Sequence, residues 1–221
     1  EWDLYHAPDW NAAFQTAKLG AADLRWPVRR GTLFHENGVL VLRSGAGANE
    51  RAALLRYGPT LNHGQLDELG LQFYARGREF SGDPGYYNTH YRFGFTSSTV
   101  AHNTVVVNRH NQLKEGVPGG DLLAWNAGRV LRSAEIEDAD AYRAENVQEY
   151  HRRVALLDLS PQESYIVDTF WLRGGREYDY SLHGLLQSAF KVLSPGVLQL
   201  EEKRAGSVAG PEINYKLTAT H

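Results

Sequence analysis

The sequence contains no cysteine and no methionine. The first absence rules out disulfides and thiolate-held metals, so a bound metal must use His, Asp, Glu or an amide oxygen. It suits an oxidising or a reducing compartment and leaves location open. Without methionine the chain has no start residue, and it is expected to be an internal piece of a longer protein whose leader lies elsewhere. No apolar run approaches the roughly 20 residues that cross a bilayer as a helix. An excess of one charge is also lacking: 23 Lys and Arg stand against 26 Asp and Glu, a formal net charge of −3. That balance has neither a nucleic-acid nor a membrane-surface footprint, and neither partner is expected. Any basic patch for an acidic ligand must be local.

What is present is an ordinary globular composition, with 42% hydrophobic and 22% charged residues over 221 positions. That is enough for one large domain or two small ones. Residues 1–31 read as one or two short helices or a linker. Trp10, Phe14, Leu19 and Leu24 recur at roughly helical spacing among frequent alanines, and Pro27 breaks the pattern. From Thr32 the pattern turns to strands. The expected ones are Val39–Arg43, Ala52–Tyr57, Leu66–Arg76, Thr104–Val107, Val130–Ala134, Glu149–Asp158, Tyr165–Phe170, Tyr178–Leu185, Ala189–Leu193, Leu198–Glu202 and Ile213–Thr218. Gly and Pro clusters such as Pro118-Gly119-Gly120, Gly174-Gly175 and Pro195-Gly196 punctuate them. Many short strands without helical interludes predict a mainly β chain, an antiparallel β-sandwich over 32–221. The last strand runs to the end of the sequence, so the sandwich is expected to be truncated there.

The residues able to carry chemistry gather between Tyr57 and Asn108. In extended backbone His63, Gln65 and Asp67 alternate onto one face. Asp83 follows a turn, and His102 precedes a Val-rich strand. Neighbouring strands lie about 5 Å apart, so these groups can converge. Two histidines, a carboxylate and an amide can form a small metal site or an acid–base cluster. The plainer alternatives are that Asp67 is a hydrogen-bonded structural carboxylate and that His102-Asn103 is a satisfied buried pair.

In order and spacing, this segment resembles the heparinase II/III-like domain of polysaccharide lyases. The matching residues are Gly58-Pro59, His63-Gly64, Asp67, Phe73-Tyr74-Ala75-Arg76-Gly77-Arg78, Asp83-Pro84-Gly85 and Ser98 through Asn108, which reads STVAHNTVVVN. Gly38 to Gly45 resembles the family's entry strand, and His151 to Leu156 and Ser181-Leu182-His183 its later strands. The resemblance covers roughly residues 32 to 190.

It implies an α/α-toroid followed by antiparallel sheets, with the active site between them and residues 1–31 as the end of the toroid. The implied reaction is β-elimination on a uronate-containing acidic polysaccharide such as alginate or a glycosaminoglycan such as heparan sulfate. The toroid is then a partner that supplies a carboxylate-neutralising Asn or His and a Tyr, so the isolated chain is expected to be nearly inactive. Carried over, His63 is the acid–base or carboxylate-contacting histidine. Tyr91, beside His90 and Arg92, is the choice for a second proton-transferring tyrosine. Asp83 and His102 match two ligands of a zinc site. The third ligand position is Gln65 where the family has His, which makes the ion zinc, calcium or none. Arg76, Arg78 and Asn103 are candidate substrate contacts. The resemblance places the protein in the periplasm or outside a bacterial cell. The rival readings are a non-catalytic carbohydrate-binding sandwich, and a glycoside hydrolase using Asp67 with Asp83.

Overall fold

The computed structural model describes residues 30–60, 64–83, 85 and 95–184. Among these, eleven strands fall into antiparallel sheets. The first sheet is a meander of β1 (Gly31–Phe34), β2 (Val39–Ser44), β3 (Arg51–Arg56), β4 (Leu71–Ala75) and β5 (Arg78–Ser81), paired in chain order. A short pair joins β6 (Val105–Val107) to β11 (Tyr178–Tyr180). The second sheet takes β7 (Asp121–Ala127), β8 (Leu131–Glu137), β9 (Glu149–Asp158) and β10 (Ser164–Arg173) in the order β10-β9-β8-β7.

Alternation of side chains decides which face of each strand is inside. In β9, Tyr150, Arg152, Val154 and Leu156 are buried while Arg153 is exposed. Leu40 and Leu42 of β2, Ala53 and Leu55 of β3, and Ala134 and Ile136 of β8 meet them in one core. Burying each such Leu or Ile contributes about 1.5–3 kcal/mol relative to leaving it in water. Tyr142 and Tyr150 cross edge to face, with ring centroids 5.2 Å apart, and Tyr150 Oη donates to the Val105 carbonyl at 2.7 Å. This bond ties the second sheet to β6.

Gly38 and Gly58 show why the Gly-Pro motif stands where it does. Gly38 has φ +59, and a Cβ there would lie 2.2 Å from Cα of Gly58. The loop after β3 therefore packs backbone to backbone on the turn before β2.

The mainly antiparallel β architecture agrees with the expectation, and the element boundaries differ in instructive places. Leu66–Gly70 is not strand. Gly70 N donates to the Asp67 carbonyl at 2.8 Å, and Leu69 has φ 56, so the chain turns before β4 starts at Leu71. Gln65 and Asp67 thus precede the strand and are not part of it. Strands β1, β5 and β7 were not expected. The β4–β5 hairpin closes on Arg76 and Gly77, both at positive φ, the geometry of a two-residue primed turn. The expected strands Ala189–Leu193, Leu198–Glu202 and Ile213–Thr218, and the helical reading of 1–29, lie outside the described residues.

Candidate functional site

Three loops at one end of the first sheet build a polar cluster. The turn before β4 supplies Asp67, the segment after β5 supplies Asp83, and the single helical turn Thr99–Ala101 delivers His102 just ahead of β6. One ligand-type atom from each of these three side chains lies within 4.8 Å of the others. His102 Nδ1 is 3.0 Å from Asp83 Oδ2, and the histidine is 3% exposed. Its Nε2 is buried and has no hydrogen-bond partner among the described residues. A cleft of about 140 Å³ runs beside the cluster, lined among others by Arg56, Asp67, Gly82, Asp83 and His102.

The sequence expectation that Gln65, Asp83 and His102 meet at one place matches their positions, but Gln65 plays a different part. Its Nε2 lies 3.2 Å from each of Asp83 Oδ1, Gly85 O and Thr96 O, all acceptors, so it is the NH₂ group that turns toward Asp83. A cation needs a lone pair, which that group does not offer. The donor set facing one point is therefore Asp67, Asp83 and His102. Two carboxylates and an imidazole can hold a divalent cation, with His102 presenting Nδ1, the ring nitrogen that faces Asp83, while Nε2 lies on the opposite edge of the ring. Asp67 Oδ1 already accepts from Arg56 Nη1 at 2.6 Å, which leaves its other oxygen for such an ion.

Charge in the cluster follows from burial and partners. Burial is the largest single influence on Asp83 and opposes its ionisation. The His102 hydrogen bond and charge, the Gly85 amide and Gln65 together outweigh it and hold the carboxyl below its ordinary range. Asp67 goes the other way: burial raises it more than Arg56 and His102 lower it, and the Asp83 charge adds to the rise. The site thus holds one firmly ionised carboxylate and one that gives up its charge more readily.

The other expected site residues fall in different places. Asn103 is 2% exposed. Its amide nitrogen donates to Leu71 O at 2.8 Å and Ser81 Oγ at 2.5 Å, and its oxygen accepts from His183 N at 2.5 Å. That side chain ties three segments together and has no free group for a substrate. Arg76 and Arg78 are exposed at the tip of the β4–β5 hairpin. The five residues of β4, four steps of about 3.3 Å each, put them about 13 Å along the strand from the cluster. His63 and Tyr91 lie outside the described residues.

Sequence reasoning passed over Arg56, which braces Asp67, and gave His183 no part. His183 sits beside the cluster, its Nε2 2.8 Å from Val100 O, and burial lowers its pKa. Arg56 falls in no motif, and His183 drew notice only through Ser181-Leu182-His183, which says nothing of the loops it touches. His151 lies on the outer face of the second sheet, 3.0 Å from Glu135 and stacked on Trp171.

A model of the family described as heparinase II/III-like, C-terminal, matches residues 27–211. The chain belongs to this heparinase II/III-like family. Over 143 residues it is 27% identical to an exo-oligoalginate lyase of Saccharophagus degradans, covering 57% of this chain and 19% of that relative. A crystal structure of heparinase III shares the fold with a TM-score of 0.56 at 21% identity, covering 73% of this chain and 25% of that one. The heparan sulfate lyase of Pedobacter heparinus gives 0.52 at 17% identity, covering 75% and 25%. The heparinase II/III-like chain thus spans about a fifth to a quarter of the length of these relatives.

Proposed function

We propose that this heparinase II/III-like chain is the β-sheet part of a polysaccharide lyase that cleaves uronate-containing acidic polysaccharide by β-elimination. The observation that carries the reading is the Asp67–Asp83–His102 cluster with its buried imidazole, set in a family whose named relatives include an exo-oligoalginate lyase. A sugar-binding surface has no need of a buried imidazole with an orphaned nitrogen.

In the proposed reaction a base takes the proton from C5 of the uronate. The C5–H electron pair becomes the C4–C5 double bond, the C4–O bond breaks, and an acid protonates the departing O4. The substrate carboxylate must be neutralised for the C5 proton to become acidic. His63 is assigned to acid–base work or to that carboxylate, and Tyr91 to proton transfer. Asp83 and His102 are assigned to holding the site together. Any cation would be held by Asp67, Asp83 and His102, and bound there it would supply positive charge near the substrate carboxylate. Zinc and calcium are the two ions this donor set suits, since carboxylates accept either and imidazole favours zinc. The remaining groups would come from an α/α-toroid partner domain. A polymeric substrate places the protein in the periplasm or outside the cell. The test is to express the full-length parent and screen alginate and heparan sulfate for the ultraviolet absorbance of the new double bond. No absorbance on any uronate polymer would end the proposal.

A further inference from the structure

We propose that Arg152 is a positioning residue: its guanidinium fixes the turn that carries Asp67 relative to the segment that carries His102. The inference rests on the reading of these groups as a site and adds to it a residue of the second sheet.

Arg152 is fully buried in β9. Nη1 donates to two backbone carbonyls, Leu69 O and Asn103 O, the latter at 2.6 Å. Leu69 lies two residues after Asp67, and Asn103 directly follows His102. Nε and Nη2 clasp both oxygens of Asp168 at 2.8 and 2.7 Å, and Nη2 also reaches Tyr180 Oη at 3.3 Å. Tyr180 Oη in turn donates to Asp168 Oδ2 at 2.6 Å. Phe170 covers the guanidinium face, with its centroid 4.7 Å from Cζ. Every edge of the fork is engaged.

This outlay is not explained by stability. A buried ion pair is often no more stabilising than well-packed apolar residues of the same volume. What a planar fork does is hold several acceptors at set angles, which a lysine ammonium cannot reproduce. Leu69 needs such a hold, because a branched residue at φ 56 is in a sparsely populated conformation. The two gripped carbonyls belong to the two loops whose separation sets the distance between Asp67 and His102. The loops meet directly as well, through Leu71 N to Asn103 O at 3.1 Å, so the guanidinium adjusts a contact that already exists.

The test uses the full-length protein with Arg152→Lys, with Tyr180→Phe as a milder loosening of the same clasp, and with Val154→Ala as a core truncation on the same strand. Two readouts are taken where each variant is folded by circular dichroism: the ¹⁵N imidazole signals of His102, identified by their loss in His102→Gln, and lyase turnover with KM. Arg152→Lys is expected to shift the His102 signals and lower kcat by about 10- to 100-fold with little change in KM, the cost of a misplaced site. Tyr180→Phe should move the same signals less, and Val154→Ala should leave them in place. His102 signals unmoved in Arg152→Lys, or in Tyr180→Phe if the lysine variant does not fold, overturn the proposal. So does an equal shift in Val154→Ala. If the wild type cleaves no uronate polymer, the proposed function fails while the imidazole signals still decide the role of Arg152.

Discussion

Nδ1 of His102 stands 3.0 Å from Oδ2 of Asp83, although one residue lies just after β5 and the other just before β6. The contact leaves the opposite nitrogen, Nε2, buried without a partner among the described residues. Asp83 Oδ1 meanwhile accepts from Gly85 N at 2.6 Å and Gln65 Nε2 at 3.2 Å. Asp83 is therefore the common acceptor of donors from its own segment and two others, and Asp67, two residues after Gln65, approaches the same point.

Asp83→Ala removes that acceptor and strands His102 Nδ1 and the Gly85 amide, while Gln65 keeps the Gly85 and Thr96 carbonyls. Each buried donor left unpaired costs about 1–3 kcal/mol. The variant should lose several degrees of melting temperature, about 2–4 °C per kcal/mol for a chain of this size. Asp83→Asn, which keeps one acceptor oxygen, should lose less. Thermal scans of the two variants against wild type check this, and an Asp83→Ala protein that melts like wild type would contradict it.

Gln65→His replaces a donating NH₂ with a ring nitrogen that can ligate, next to Asp83 and His102. Neutral imidazole is the better zinc ligand, so zinc affinity should rise by about tenfold or more, equivalent to about 1.4 kcal/mol. Calorimetric titration of both proteins gives the answer. Equal affinities would mean that position 65 is not at the ion.

Glu68 makes the stability of the fold fall as pH rises between about 4.5 and about 9. It is fully buried and close to Asp138, and each residue has a buried carboxyl oxygen with no donor, Oε2 and Oδ2 respectively. Burial, then the charge and hydrogen bond of Asp138, raise Glu68 from 4.5 to about 9, while Arg56 pulls the other way. A carboxyl whose pKa is raised by folding binds its proton more tightly in the folded state. Its stabilisation is complete below the unfolded value of 4.5 and is lost as pH rises toward about 9. Melting temperature should fall across that window, with a slope of up to about 1.4 kcal/mol per pH unit from this group. Glu68→Gln, which cannot ionise, should flatten the profile. Parallel wild-type and variant profiles would remove Glu68 as the cause.

The sheets were legible because alternation in segments such as β9, with Tyr150, Val154 and Leu156 inward and Arg153 outward, follows from a half-buried strand. The turn at Asp67–Gly70 was not, since Leu69 at φ 56 looks apolar and strand-like, and the turn is held from afar by Arg152 on the Leu69 carbonyl and by Thr104 and Gln112 on the Glu68 carbonyl. β7 was missed because Leu123 is half exposed and the register shifts between Leu122 and Ala124, which breaks the alternation. Asp83 and His102 stood out through the ordered motif. Arg56 and Arg152 did not, because a brace is defined by what it touches and the sequence near it is silent on that. Asn103 drew notice through its motif, and its three bonds show that the motif records packing there.

The central claim is that the cluster floors a lyase active site in which His63 handles the proton or the substrate carboxylate. The most direct measurement is turnover of the full-length protein on alginate and heparan sulfate, followed by double-bond absorbance, in wild type and His63→Ala. The account predicts activity on a uronate polymer in wild type, and a loss of about 10²–10⁴ in kcat for His63→Ala at an unchanged melting temperature. A wild type active on uronate polymer whose His63→Ala variant keeps full turnover would contradict it.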